Sequence, residues 1–357
     1  MEEEVKKFDE TKMGVKGLSD SGITSIPKFF IHPPESRPDL HPNPSQTPLT
    51  IPTIDLSTIN SDHNHRAEII NQVKEAASNW GFFQIINHGI SQSVLSSTLQ
   101  SIRSFHDQPY EIKSKYYKRE EIGGVMYASN NDLYRTKAAA WHDSLQIWMG
   151  APAPVKAEEI PEICRKEIVE WDVWCKEVGE IVLELLSEGL GLDAGKFKEL
   201  TFSDVRILLG HCYPYCPQPD LTVGITAHTD PGFMTVLLQD EIGGLQVKHG
   251  DGWVDVKPIS GGLIINVGDF LQIVSNGEYK SVQHRVLANS SKRARISVVS
   301  FFNLSKWRGS PNFYGPLPEL LSAEKPAIYR NFTQQEFMDN FYSKGLDAKS
   351  LIQKIQI

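Results

Sequence analysis

Residues 224–232 read GITAHTDPG, and residues 275–286 read SNGEYKSVQHRV. Between them they decide what kind of core this chain builds. His228 and Asp230 stand two apart. On an extended strand, residues i and i+2 point to the same face, so both can reach one metal ion while Thr229 points away. Pro231 supports the extended reading, because a residue before proline is pushed out of helical backbone. His284 follows far enough downstream to come from a different strand. Two imidazoles and one carboxylate on one side of an ion leave its other positions open, and an open position is where a reaction can take place.

A second group suits those open positions. In SKRARISVVSFF (291–302), Arg295 and Ser297 are again i and i+2. The spacing expects their strand to lie antiparallel to the one carrying His284, with Asn289–Lys292 as the turn. An arginine fork beside a hydroxyl grips a carboxylate well. His228, Asp230 and His284 form the ligand set of the facial triad of non-haem Fe(II) oxygenases. The charge of such an ion cancels that of a dicarboxylate, and Asp230 cancels Arg295, so the loaded site can be buried without an unpaired charge. A ligand with a keto-acid end for the metal and a second carboxylate for Arg295 is 2-oxoglutarate.

The motifs HTDPG, NGEYKSVQHRVLAN and RIS resemble those of the plant soluble 2-oxoglutarate/Fe(II)-dependent dioxygenases. More narrowly, they resemble the specialised-metabolism group that includes the 1-aminocyclopropane-1-carboxylate oxidase homologues. IPTIDLS at Ile51, WGFFQIINHGI at Trp80, YPYCPQPDLTVG at Tyr213, GGLQV at Gly243, WVDVKP at Trp253 and NVGDFLQIVSNG at Asn266 extend the resemblance over nearly the whole chain. It implies a mainly β fold with flanking helices, whose core is a double-stranded β-helix of jelly-roll type. It also implies Fe(II), 2-oxoglutarate and O2, with ascorbate as reductant. The products would be succinate, CO2 and an oxidised small plant specialised metabolite. Hydroxylation is the default outcome; desaturation, ring closure, epoxidation or demethylation need only another pose. Tyr213 falls on the family tyrosine that bonds the distal carboxylate of the cosubstrate. His211 stands where many members have asparagine, and reads as a supporting or structural residue. Tyr127, Tyr134, Phe233 and Phe301 are the expected walls of the substrate pocket, bordered by the stretch 120–148 and the C-terminal segment.

Composition excludes other classes. The net charge is −8, with no basic run to bind nucleic acid or an anionic membrane. No long apolar run and no apolar leader occur, so a cytoplasmic chain working as a monomer is expected. The four cysteines show neither a CxxC pair nor zinc spacing and read as reduced thiols. A zinc hydrolase with the same ligands is a chemical rival, but it leaves Arg295, Ser297 and Tyr213 without a purpose. Two others remain: an Fe(II) oxidase that needs no 2-oxoglutarate, and a non-catalytic binder on the same fold.

Taken in order, residues 1–50 read as a helix over Gly14–Phe30 and a proline-rich arm, the loop being punctuated by Pro33, Pro34, Pro38, Pro42, Pro44, Pro48 and Pro52. Residues 51–200 read as a helical section, with helices at Arg66–Trp80, Ser93–His106, Glu111–Tyr117 and Pro161–Leu190. The last has Val169, Val173, Ile181, Leu185 and Leu186 available for a buried stripe. Glu120–Trp148 reads as an aromatic-rich loop, and His88 as a turn residue. Residues 201–305 form the β core, and 306–357 close the chain with helices at Thr333–Gly345 and Ala348–Gln356.

Overall fold

The computed structural model describes residues 2–38, 49–119, 123–130, 133–150, 154–303, 313–333, 335–336, 339 and 352–357. Twelve strands build two sheets: β1 (Thr53–Asp55), β2 (Phe82–Ile86), β3 (Val125–Ser129), β4 (Asp143–Trp148), β5 (Val205–Tyr213), β6 (Val223–His228), β7 (Met234–Gln239), β8 (Leu245–His249), β9 (Gly252–Asp255), β10 (Leu263–Val267), β11 (His284–Leu287) and β12 (Arg295–Asn303). The major sheet has eight strands in the order β1-β2-β10-β7-β12-β5-β4-β3; the minor sheet has four, β6-β11-β8-β9. Their facing sides bury Phe82, Tyr213 and Ile264 of the major sheet against Ile225, Leu245, Val247 and Val286 of the minor one. This is the expected jelly-roll core.

Helices cover the outer face of the major sheet, burying its alternate residues Ile296, Val298 and Phe302 together with Leu208, Val236 and Leu238. The longest, Glu162–Gly189, turns Cys164, Ile168, Trp171, Cys175, Val178, Val182 and Leu185 inward. Val169 and Val173, expected in that stripe, are 38% and 55% exposed. They sit one residue past Ile168 and two past Trp171, which is 100° to 200° around a helix of about 3.6 residues per turn. Trp171 packs fully buried and donates Nε1–H to Ser300 on the outer face of β12, at 3.2 Å.

The N-terminal segment differs from expectation. A helix runs over Glu2–Thr11, and the one read as Gly14–Phe30 stops at Asp20, with a single 3-10 turn at Lys28–Phe30. Gly22, at φ +75, ends it in the left-handed conformation that closes helices. Phe8, Phe29, Phe30 and Trp141 pack together, tying this segment to the chain before β4. Val15 and Lys16 donate their backbone N–H groups to the two oxygens of buried Asp143, each at 2.8 Å.

The stretch 120–148, read as a loop, contributes β3 and β4 to the edge of the major sheet. Phe332–Thr333 form a short ladder with Phe313–Tyr314 where a helix was expected to begin. Pro42, Pro44 and Pro48 and most of the expected C-terminal helices lie outside the described residues, apart from a helical turn at Ile352–Ile355. Among the described residues no helix is long and apolar enough to cross a membrane.

Candidate functional site

β6 and β11 run antiparallel, with His284 directly opposite His228, so both imidazoles leave the same face of the minor sheet. Their ring centroids are 4.3 Å apart. β6 ends at His228, and Asp230 follows in the turn before β7. Thr229 turns the other way and donates to Asp269 at 3.2 Å. Gly268 allows the close approach of this turn to the NVGD segment: a side chain there would strike the carbonyl of Gly232. Asp269 N–H donates to the Asp230 carbonyl at 2.7 Å.

One ligand atom from each of His228, Asp230 and His284 lies within 4.8 Å of the others. Asp230 Oδ1 is 3.6 Å from Nε2 of His228 and 3.6 Å from Nε2 of His284. The remote ring nitrogens face backbone carbonyls: His228 Nδ1 bonds Thr226 O at 2.8 Å and His284 Nδ1 bonds Val282 O at 3.3 Å. That pairing puts the proton on Nδ1 and leaves each Nε2 lone pair toward the site. Burial pushes the His284 imidazole down to about 4, keeping it neutral. Burial opposes ionisation of Asp230, but His284, His228 and the Asn266 amide hold its carboxyl below the usual range. Two imidazole nitrogens and an ionised carboxylate are the donor set a divalent iron ion takes.

On the inner face of the major sheet, Arg295 is 1% exposed and stacks over the Tyr213 ring, its guanidinium carbon 4.7 Å from the centroid. It donates Nη1–H to Ser297 Oγ at 3.2 Å and Nη2–H to Gln239 Oε1 at 2.9 Å. No carboxylate among the described residues pairs with it, and its Nε–H and the Gln239 amide are buried without acceptors. A buried cation with spare donors fits a ligand carboxylate. β12, however, pairs with β5 and β7 and not with the His284 strand. The Asn289–Lys292 connection therefore crosses between sheets, and Arg295 and Ser297 lie on the sheet opposite the one that carries His228 and His284.

His211 lies on β5 opposite Ser297, with Nδ1 bonded to Ser144 Oγ at 2.7 Å. Burial and the neighbouring His142 and Arg295 keep its pKa well below the usual value. Phe301 lies on the inner face, opposite Thr235, and is half-buried. Gln146, Ile207, Leu209, Leu237 and Gln239 share that face and are also half-buried, so a cavity opens above them.

The other three expected wall residues lie elsewhere. Tyr127 projects from the outer face of β3 into a ring cluster with Phe105 and Tyr117, centroids at 5.7 Å. Tyr134 is 58% exposed, with its hydroxyl on Asp9 at 2.8 Å. Phe233 sits in the turn before β7, where strand alternation does not apply, and stacks on Phe202 at 3.8 Å in the helix-side core. Gln239, Thr235 and Asn266 went unread in the sequence; inward alternation on β7 and β10 was the signal that could have found them.

Double-sheet core, open three-ligand cluster and buried unpaired arginine together describe an iron oxygenase that takes a dicarboxylate cosubstrate. Residues 204–304 match the 2OG-Fe(II) oxygenase superfamily, and residues 51–165 match the non-haem dioxygenase in morphine synthesis N-terminal family. The 1-aminocyclopropane-1-carboxylate oxidase homolog 1 of Arabidopsis thaliana is 46% identical over 346 residues, spanning 97% of this chain and 94% of that one. A homolog from Solanum lycopersicum is 44% identical over 99% of this chain and 96% of its own. The crystal structure of JOX2 in complex with 2OG, Fe and JA superposes with a TM-score of 0.82 at 30% identity, covering 96% of this chain and 97% of that one. The rice dioxygenase for auxin oxidation, at 23% identity and a TM-score of 0.70 over 86% of this chain and all of that one, shares the fold. This chain belongs to the 2OG-Fe(II) oxygenase superfamily. It is a dioxygenase that uses Fe(II), 2-oxoglutarate and O2 to oxidise a small molecule.

Proposed function

We propose that His228 and His284, through Nε2, and Asp230, through Oδ1, hold Fe(II), and that Arg295, Ser297 and Tyr213 bind the distal carboxylate of 2-oxoglutarate. The observation that carries this reading is the cluster of His228, Asp230 and His284, within 4.8 Å, together with a buried arginine that pairs with no carboxylate among the described residues. When bound, the iron and 2-oxoglutarate supply the oxidising chemistry, with succinate and CO2 released as a substrate C–H bond is oxidised.

The chain's residues do the rest. The Tyr213 ring and the Gln239 carbonyl hold the Arg295 fork in one orientation, so the cosubstrate arrives aligned. The two sheets exclude water from the charged groups. Phe301, with Ile207, Leu209 and Leu237, offers an apolar wall beside the metal ligands, suited to a small, largely apolar plant specialised metabolite, with hydroxylation as the outcome. Both ligand groups come from one chain, which suits a monomer, and four unpaired thiols suit a reducing, cytoplasmic setting. We assign 1–50 to the N-terminal helix and arm, 51–200 to the helical section, 201–305 to the catalytic core and 306–357 to the C-terminal segment.

The test is substitution of His228, Asp230 or His284 by alanine. Each variant should keep its circular dichroism and lose substrate-coupled succinate formation. A variant retaining wild-type turnover at low free iron removes that residue from the ligand set.

A further inference from the structure

The two oxygens of Asp230 have different neighbours. Oδ1 faces the imidazoles, 3.6 Å from each Nε2. Oδ2 accepts the hydroxyl of Thr235 at 2.7 Å and the side-chain amide of Asn266 at 2.7 Å. Thr235 on β7 and Asn266 on β10 are cross-strand partners, so both donors rise from one point of the major sheet. Thr235 and Asn266 are each 2% exposed and Asp230 is 4% exposed, so water has little access to replace a lost donor. Two donors on one oxygen use the in-plane directions through which that oxygen could also bind a metal.

We infer that Thr235 and Asn266 are positioning residues that restrict Asp230 to binding the metal through one oxygen. The inference rests on the reading of Asp230 as an Fe(II) ligand. Two imidazoles and a single oxygen would hold such an ion and leave its remaining positions open. A carboxylate free to swing would bring its second oxygen to one of those positions and occupy room that the cosubstrate and O2 need. The clamp also reduces the freedom that Asp230 loses when a metal arrives, so it raises affinity as well as fixing geometry.

Thr235→Val keeps the side-chain shape and removes the hydroxyl; Thr235→Ser restores a hydroxyl; Asn266→Leu removes the amide. The full chain is stripped of metal with a chelator and titrated with Co(II) alone, without cosubstrate. Affinity is read by calorimetry and coordination number by the visible d–d absorption. Thr235→Val and Asn266→Leu should each weaken Co(II) binding on the order of 10- to 100-fold, with a changed band shape, while Thr235→Ser stays close to wild type. Wild-type affinity and band in both variants, whatever happens to their melting temperatures, would make the residues structural only and overturn the inference. Should Asn266→Leu fail to fold, the Thr235→Val and Thr235→Ser pair decides alone. Asp230→Ala separates the two layers. If it binds Co(II) as wild type does, the ligand reading itself fails. If it loses Co(II) while Thr235→Val does not, only the clamp fails.

Discussion

Arg295→Ala tests the proposed cosubstrate site most directly, because Arg295 is 1% exposed and, among the described residues, its bonds go to a hydroxyl and an amide and not to a carboxylate. Truncating one partner of a buried, hydrogen-bonded charge pair costs about 2–5 kcal/mol of binding. In affinity that is on the order of thirty-fold to several thousand-fold. With 2-oxoglutarate at about 100 times its wild-type Kd, ligand binding stabilises the wild type by about 2.7 kcal/mol. At the same concentration a thirty-fold weaker variant gains only about 0.9 kcal/mol, so the thermal shift should shrink to about a third or less. The assay is thermal unfolding with and without 2-oxoglutarate in the presence of Mn(II), backed by calorimetric titration. Arg295→Lys keeps the charge but loses the fork, and should fall between wild type and alanine. Without ligand the sign reverses: Arg295→Met removes a buried, unpaired charge and should leave the melting temperature unchanged or raised. An Arg295→Ala variant that keeps the full shift and a wild-type 2-oxoglutarate requirement would refute the assignment and favour an oxidase that needs no 2-oxoglutarate.

Three further outcomes are expected. Phe301→Ala should raise the KM for the main substrate far more than that for 2-oxoglutarate, since the ring shares the inner face of β12 with Arg295 but lies beside Thr235; equal losses, or a large drop in melting temperature, would mark it as core. Burial pushes His106 down to about 4, so the unfolded chain, at about 6.5, binds its proton more tightly. Its contribution is intact above pH 6.5 and is lost toward pH 4 at about 1.4 kcal/mol per pH unit; urea midpoints across this range should fall less steeply in His106→Gln, and parallel profiles would count against it. Asp143→Leu removes the acceptor of the Lys16 N–H and one of the two acceptors of the Val15 N–H, which keeps Ser129 Oγ at 3.0 Å, and should cost about 1–3 kcal/mol. It should therefore lower the melting temperature and speed tryptic cleavage at Lys12 and Lys16, and unchanged cleavage would show that the N-terminal segment is held by other contacts.

What the sequence made legible was chemistry carried by short spacing. His228 and Asp230 share a motif, and Arg295, Ser297 and Phe301 follow strict strand alternation, so their common faces could be read directly. What it hid was pairing. Asn289–Lys292 looks like a hairpin turn, yet Asn289 donates its amide to the carbonyls of Tyr213 and Arg293 and steers the chain into the other sheet. In a jelly roll, neighbouring strands are often remote in sequence, and no local signal names the partner. β3 was missed for another reason: all five of its residues, VMYAS, are buried, so the polar alternation that announces a half-exposed strand is absent. For the same reason Tyr127 could not be assigned to a face until its strand partners were known.

The buried charges of the site make one more demand on how it loads. Asp230 and Arg295 carry opposite charges, are not paired with each other, and are both nearly inaccessible to solvent. A dication entering alone leaves two charges uncompensated, and so does a dicarboxylate entering alone; together they restore neutrality, so each should favour the other. Coupling of this kind is typically about 1–3 kcal/mol, or about 5- to 150-fold in affinity. Mn(II) should therefore tighten 2-oxoglutarate binding by at least that range's lower end, and 2-oxoglutarate should tighten Mn(II) by the same factor. Asp230→Asn gives the argument its sharpest form. It removes the negative charge that repels a dicarboxylate in the metal-free cavity. The variant should then bind 2-oxoglutarate more tightly than wild type when no metal is present, while losing most of the coupling. Metal-free 2-oxoglutarate binding no stronger than wild type, measured calorimetrically in chelator, would mean that the two buried charges do not sense the same cavity.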